Sequence, residues 1–130
     1  MFEMKEEYYT GIQLVDDEHT KLLGIAESAY QLLNDHFVAD KYDQIKVILQ
    51  ELKDYTKTHF ADEEAYMERI QYKRMFTQKI QHQHFIEKLE EINMDEVDED
   101  HNAAIQDLLD FLMDWLIHHI VEMDKLIGQD

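Results

Sequence analysis

Hydrophobic residues recur along most of the chain at intervals of three and four, the spacing that places side chains on one face of an α-helix. The repeat predicts four amphipathic helices, at residues 16–34, 41–69, 75–92 and 101–127. Polar segments separate these helices, at residues 35–40, 70–74 and 93–100. Four such helices with short connections predict an up-down-up-down antiparallel four-helix bundle, preceded by an N-terminal arm at residues 1–11.

Turn-forming residues are scarce, which supports an all-α fold. The 130 residues include no proline and only three glycines, whereas a β-rich protein of this size needs many more turn residues. The length fits one domain, so we expect residues 1–130 to form a single domain. Hydrophobic residues make up 45% of the chain, enough to build a core and to exclude a disordered composition.

The charge and the cysteine content restrict the partners. A net charge of −18 disfavours nucleic acid and anionic membrane surfaces, which would repel this protein. The chain has no apolar run long enough to span a membrane, and its first residues lack the apolar region of a signal peptide, so we expect a cytoplasmic location. Cysteine is absent, so a bound metal would take nitrogen and oxygen ligands.

Histidines and carboxylates interrupt the hydrophobic stripes of all four predicted helices. Such side chains are costly to bury unless they are paired or bound to a metal. A single core histidine is more simply explained by a structural hydrogen bond, but six such residues together indicate one shared metal centre. His59 and Glu63, four residues apart, share one helix face. The candidate ligands are His19, His59, Glu63, His82, His119 and Asp124.

The fourth predicted helix contains two histidine–carboxylate pairs. Its stripe runs through Leu112, Trp115, His119, Met123 and Leu126. This stripe favours His119 with Asp124 over His118 with Glu122, although only the second pair has a spacing of four. On a regular helix, five residues correspond to about 140° of rotation. His119 and Asp124 reach one site if the site lies between their faces, or if the helix contains a π-bulge.

Four segments, one on each predicted helix, resemble the hemerythrins, specifically the short bacterial members. They are GIQLVDDEH (11–19), HFADEEAYM (59–67), HQHF (82–85) and WLIHHIVEMD (115–124). The resemblance spans essentially the whole chain. It implies a non-haem centre of two iron ions (Fe2+/Fe3+) with a bridging oxo or hydroxo group. It further implies reversible binding of dioxygen, as an oxygen carrier, store or sensor.

The resemblance also implies roles for individual residues. Two histidines would bind each iron and two carboxylates would bridge the pair: His19 and His59 on one iron, His82 and His119 on the other, with Glu63 and Asp124 as bridges. In the family, dioxygen binds end-on at the iron that has fewer histidines. The pocket around it would be lined by residues that match apolar family positions: Phe60, Phe85, Trp115, Leu116 and Ile120.

Gln78 departs from the family pattern, which has a further histidine four residues before the position of His82. Gln78 lies on the core stripe, and we include it among the candidate metal residues. Three arrangements stay open: its amide oxygen ligates weakly, it leaves a coordination position open for water, or it hydrogen-bonds a ligand. His84 faces roughly the opposite way from His82 and is a poor substitute.

Two other functions stay open. The first is a di-iron enzyme of the peroxidase or oxidase type using the same site, favoured by an open coordination position near Gln78. No residue resembles a dedicated general acid or base in the pocket, so we expect no catalytic residue and a binding protein. The second is zinc or another metal in a structural role. The remaining polar residues are expected at the surface: His36, His84, His101, His118, Asp62 and Glu64.

Overall fold

The computed structural model describes residues 2–128, and this part of the chain is helical, without a strand. Three long helices come first: α1 (Gln13–Asn34), α2 (Tyr42–Arg69) and α3 (Met75–Glu90). Two shorter helices follow: α4 (Met94–Glu99) and α5 (His101–Phe111). Helix α1 packs against α2 and α5, and α2 also packs against α3. The all-α prediction is confirmed, and the packing is that of a helical bundle.

The chain continues from α5 as one helical run that contains two π-helical turns. The first π turn is Leu112–Leu116 and the second is Ile120–Asp124. Between and after them lie α6 (Ile117–His119) and α7 (Lys125–Gly128). The residues at the junctions keep right-handed helical backbone angles, so the run is unbroken. We refer to residues 101–128 as the C-terminal run.

The observed helix ends lie close to the predicted ones, and one helix, α4, was not predicted. Helix α1 begins three residues earlier than predicted and α3 ends two residues earlier. The loop expected at 93–100 is instead mostly the short helix α4. The side chain of Asn93 accepts a hydrogen bond from the backbone N–H of Asp95 and caps α4, and Asp100 caps α5 in the same way through Ala103.

The described part of the N-terminal arm packs onto the bundle. It includes a 3₁₀ turn at Glu6–Tyr8, and both Phe2 and Tyr8 are buried in the main hydrophobic core. Thr10 donates two hydrogen bonds of 2.8 Å, from its backbone N–H and its hydroxyl, to Oδ1 of Asp16. These bonds fix the entry of the chain into α1.

The buried face of the C-terminal run is shifted relative to the predicted stripe. Met123 and Leu126 are only partly buried, whereas Asp124 and Ile127 are about 1–2% exposed. A π turn contains one more residue than an α turn, so each residue after it takes the position expected of its predecessor. Residues 2–128 contain no helix that is long and apolar enough to cross a membrane.

Candidate metal centre

Six candidate ligands converge inside the bundle from four stretches of helix. Each is at most 4% exposed. Helix α1 contributes one residue, α2 two, α3 one and the C-terminal run two: in chain order His19, His59, Glu63, His82, His119 and Asp124. The structure thus brings together all six His, Glu and Asp residues that the sequence analysis singled out.

The six residues form two overlapping groups of four. Within each group, one potential ligand atom from every residue lies within 4.8 Å of the others. The first group is His19, His59, Glu63 and Asp124, and the second is Glu63, His82, His119 and Asp124. Glu63 and Asp124 belong to both groups. Each group could hold a cation, with two imidazoles of its own and two carboxylates that it shares with the other group.

Asp124 faces both groups with different oxygens. Its Oδ2 lies 3.0 Å from Nε2 of His19, and its Oδ1 lies 3.1 Å from Nε2 of His119. The π turn Ile120–Asp124 makes the second contact, because it brings a residue five positions after His119 onto the same face. Of the two arrangements left open by the sequence, the structure contains the π-helical one.

Glu63 has the same double role on the other side of the centre. Its Oε2 lies 3.3 Å from Nε2 of His59, one helical turn earlier in α2, and its Oε1 lies 3.0 Å from Nε2 of His82 in α3. Both carboxylates therefore stand between imidazoles of different helices. This is the placement required of a carboxylate that bridges two cations.

Three of the four imidazoles are held from behind by a hydrogen bond at Nδ1. The Nδ1 distances are 2.9 Å from His59 to Oε1 of Glu18, 2.8 Å from His82 to Oε2 of Glu64, and 2.7 Å from His119 to Oε1 of Gln81. Each partner atom is an acceptor, so Nδ1 carries the hydrogen and donates. In the neutral ring, Nε2 then has a free lone pair and faces the shared carboxylates.

These three partners were not predicted from the sequence, and the expectation that Glu64 is simply solvated is wrong, because its side chain is 27% exposed and bonds His82. Each is adjacent in sequence to a candidate ligand: Glu18 precedes His19, Glu64 follows Glu63, and Gln81 precedes His82. A neighbour on a helix is rotated by about 100° from the ligand beside it, so it faces the adjacent helix rather than the centre. That adjacency is the signal that could have identified them.

The remaining histidines lie away from the centre. His36, His84 and His118 are exposed, as predicted. Nδ1 of His118 lies 3.6 Å from Oε2 of Glu122, and both side chains are about two-thirds exposed, so this pair does not reach the centre. His101 lies at the surface but is only partly exposed, because its Nδ1 accepts a 3.1 Å hydrogen bond from the backbone N–H of Lys41.

Buried charges of opposite sign stabilise one another at the centre. Burial alone would lower the pKa of His59, but its hydrogen bonds to Glu18 and Glu63 and the nearby negative charges raise that pKa to about 10. Burial would raise the pKa of Asp124, but the imidazoles of His119 and His19 hold it well below its usual range. The centre therefore favours anionic carboxylates that face positive charge.

The unpaired atoms of the centre fit a bound cation pair. Among the described residues, six buried side-chain nitrogen or oxygen atoms make no hydrogen bond of good geometry, although the His19 and His119 Nε2 atoms each lie within 3.1 Å of an Asp124 oxygen: His19 Nδ1, His19 Nε2, Glu63 Oε2, Gln78 Oε1, His119 Nε2 and Asp124 Oδ2. Leaving such an atom without a partner costs about 1–3 kcal/mol. Five of the six belong to candidate ligands. Imidazole nitrogens and carboxylate oxygens suit iron, zinc and manganese.

Gln78 lies in the same region and is fully buried on α3, one turn before His82. Its amide Nε2 donates a hydrogen bond of 3.2 Å to Oδ1 of Asp124. Its amide oxygen is the unpaired atom named above. A hydrogen bond from Gln78 to a candidate ligand, one of the three arrangements considered for this residue, is thus present.

Apolar side chains surround the histidines of the second group. The ring of Phe60 stacks on His82 at 3.9 Å between centroids, and the ring of Trp115 stacks on His119 at 4.6 Å. Trp115 is partly exposed, and the other four residues of the expected pocket are at most 3% exposed. All five residues of the expected pocket belong to or pack against the main core: Phe60, Phe85, Trp115, Leu116 and Ile120.

Comparison with known proteins gives consistent matches. Residues 10–129 match the family model of the hemerythrin HHE cation binding domain. The chain is 46% identical to a bacteriohemerythrin of Clostridium acetobutylicum over 125 residues, which covers 96% of this chain and 97% of that protein. It is 31% identical to a bacteriohemerythrin of Pseudomonas paraeruginosa over 117 residues, covering 89% of this chain and 72% of the relative. A bacteriohemerythrin of Methylococcus capsulatus is 29% identical over 125 residues, covering 94% and 89%.

Proposed function

The chain belongs to the hemerythrin family, and from that premise we propose that it holds two iron ions and binds dioxygen reversibly, as a carrier, store or sensor. One observation carries the proposal: two groups of four buried residues share Glu63 and Asp124. When bound, such an iron pair would supply, by changing between Fe2+ and Fe3+, the electrons that reversible dioxygen binding requires.

Each residue of the centre has a role in this proposal. Glu63 and Asp124 would bridge the ions, because each directs its two oxygens to imidazoles of different groups. The imidazoles would bind through Nε2, the nitrogen that faces the carboxylates. His19 and His59 would hold one ion, and His82 and His119 would hold the other.

Glu18, Glu64 and Gln81 would fix the imidazole rings before a metal binds. A hydrogen bond at Nδ1 selects the tautomer with a free Nε2 and holds the ring in the orientation for binding. It also makes Nε2 a stronger donor to a cation, most of all where the partner is a carboxylate. Glu18 is suited to this role because its 2.9 Å bond to His59 is almost completely buried.

The apolar residues beside the centre would form the dioxygen pocket. None of the five wall residues carries a titratable side chain: Phe60, Phe85, Trp115, Leu116 and Ile120. Walls of this kind exclude water and offer no proton to a bound ligand. They favour reversible binding over the alternative, a peroxidase or oxidase type of enzyme, which needs a positioned proton donor.

The proposal extends to the organisation and location of the protein. Short connections join α1 to α2 and α2 to α3, and each of these pairs packs together, which supports the up-down-up-down order. We infer a single domain over residues 1–130, because the four segments that supply the centre span the chain. We also infer a cytoplasmic location and dioxygen as the partner.

Visible absorption of the iron-loaded protein tests this function. The protein is reduced under anaerobic conditions, exposed to air and then returned to an oxygen-free atmosphere. We expect an absorption band that appears with oxygen and disappears when oxygen is removed, over several cycles. If the band does not return after the first exposure, and the protein then reduces added hydrogen peroxide with electrons from an added donor, the enzymatic alternative is correct.

A further inference from the structure

Gln78 is the one buried polar residue of the centre that has no role in the proposed function. Its side chain is inaccessible to solvent, and it lies on the same face of α3 as His82. Its Nε2 contacts Oδ1 of Asp124, the oxygen that also faces His119. The amide is therefore placed on the side of the centre where His82 and His119 lie.

Asp124 fixes the orientation of this amide. Nε2 of Gln78 donates to Oδ1 of Asp124 at 3.2 Å, and the oxygens of this carboxylate also face Nε2 of His19 and Nε2 of His119. The NH₂ group of Gln78 must therefore face Asp124, since the amide oxygen in that position would meet another acceptor. The amide oxygen Oε1 then has no freedom to exchange places with Nε2.

Oε1 is left without a hydrogen-bond donor. It is the only atom among the six unpaired buried atoms of the described chain that does not belong to one of the six His, Glu and Asp residues. A glutamine that served only as core packing would not be expected to keep a buried acceptor unpaired, because that costs about 1–3 kcal/mol. An amide oxygen, like a carboxylate oxygen, can bind a cation in place of accepting a hydrogen bond.

We propose that Oε1 of Gln78 is a ligand of the metal ion held by His82 and His119, oriented by the hydrogen bond from its own Nε2 to Asp124. This inference rests on the proposed function, since it assumes the cation pair. It makes the two positions unequal. One ion would have two residues of its own, His19 and His59, and the other would have three.

The amide and the shared carboxylate would act together. The hydrogen bond from Nε2 of Gln78 to Oδ1 of Asp124 holds the two groups side by side, so both could face the ion that His82 and His119 would bind. Gln78 would then be a metal ligand of this chain, and the position near it would be filled rather than open to water.

Two substitutions separate a ligand from a residue that only positions Asp124. Gln78→Leu removes both the oxygen and the NH₂ group at similar volume. Gln78→Glu keeps an oxygen that can bind a cation but removes the NH₂ donor and sets a carboxylate against Asp124. The matched control is Gln83→Leu, on the same helix, where the glutamine is exposed and bonds only Glu87 in the described chain.

The measurement is iron loss from the iron-loaded proteins to a strong chelator, together with their Mössbauer spectra. We expect the wild type to show two iron environments of equal area. In Gln78→Leu, one iron should leave at least about tenfold faster than from the wild type. This is the scale on which removing a residue that supports a metal site weakens metal binding. Gln78→Glu and Gln83→Leu should keep both irons at close to the wild-type rate.

Two outcomes overturn the ligand assignment alone. If Gln78→Leu keeps both irons and an unchanged spectrum, the amide is core packing. If Gln78→Glu loses iron as fast as Gln78→Leu, only the hydrogen bond to Asp124 matters. If Gln78→Leu does not fold, as judged by circular dichroism, Gln78→Glu decides the question alone. A wild-type protein that never holds an iron pair overturns the proposed function itself.

Discussion

His119 and Asp124 are separated by five positions, yet Nε2 of His119 lies 3.1 Å from Oδ1 of Asp124. On a regular α-helix, residues at this spacing diverge by about 140°. The π turn Ile120–Asp124 removes the divergence without breaking the helical run. This π turn thus completes a centre whose ligands on α1, α2 and α3 stand on regular α-helices.

The choice between the two carboxylates of the C-terminal run can be tested directly. Asp124→Ala should lose at least one iron and lower the free energy of unfolding by about 3–5 kcal/mol, because it leaves buried imidazoles uncompensated. Glu122→Ala should change neither quantity, since the Glu122 side chain is about two-thirds exposed and pairs with the exposed His118. Metal analysis and urea denaturation measure the two effects. Loss of iron in Glu122→Ala but not in Asp124→Ala would reverse our assignment.

Glu18 should support iron binding without being a ligand. Glu18→Ala removes the acceptor at Nδ1 of His59, so we expect weaker binding of one iron by about 10–100-fold, with two irons still bound at saturation. Asp17→Ala is the matched control, because Asp17 is exposed on the same turn of α1. Competition with a chelator of known affinity measures the change. An equal effect in the two variants would exclude a specific role for the Glu18–His59 bond.

Removing the iron should lower the melting temperature clearly. A ligand that binds only the folded state stabilises it by mass action, by about 2.7 kcal/mol at a free concentration one hundred times its dissociation constant. Without the ions, the unpaired atoms of the centre would also stay buried. Calorimetry of the protein before and after chelation measures the difference. Equal melting temperatures would show that the metal site is not coupled to folding.

The apolar wall of the pocket should protect the oxygenated form. Leu116 is 2% exposed, so Leu116→Gln would bury an amide with no designed partner and draw water towards the centre. We expect a shorter lifetime of the oxygenated absorption band. Val121→Gln, at a position 36% exposed, is the control and should leave the lifetime unchanged. Equal lifetimes in all three proteins would place the pocket elsewhere.

The sequence predicted most of the fold because each long helix has a regular hydrophobic stripe. His59 and Glu63 were predictable as a pair because regular α-helical spacing places them together. The sequence did not show which residues after His119 face the core. No residue type marks a π turn, and the stripe through Met123 and Leu126 is typical of an ordinary α-helix. Helix α4 was not predicted because its acidic sequence has little hydrophobic repeat. The side-chain cap of Asn93 fixes its start.

The hydrogen-bond partners of the histidines also could not be predicted from the sequence. Glu18, Glu64 and Gln81 are polar residues on helix flanks, where most such side chains are solvated. Their roles depend on how neighbouring helices are rotated against each other, which periodicity does not specify. Gln78 was predictable in part: the hydrophobic stripe predicted its burial, but only the structure shows its hydrogen bond to Asp124.

The number of iron ions per chain tests the central claim most directly, because Glu63 and Asp124 are proposed to bridge two ions rather than to bind one. The measurement is metal analysis of protein isolated with iron, normalised to accurately determined protein concentration and compared with Glu63→Ala. The account predicts two irons per chain in the wild type and at most one in Glu63→Ala. A wild-type protein that is fully folded and saturated at one iron per chain would contradict it.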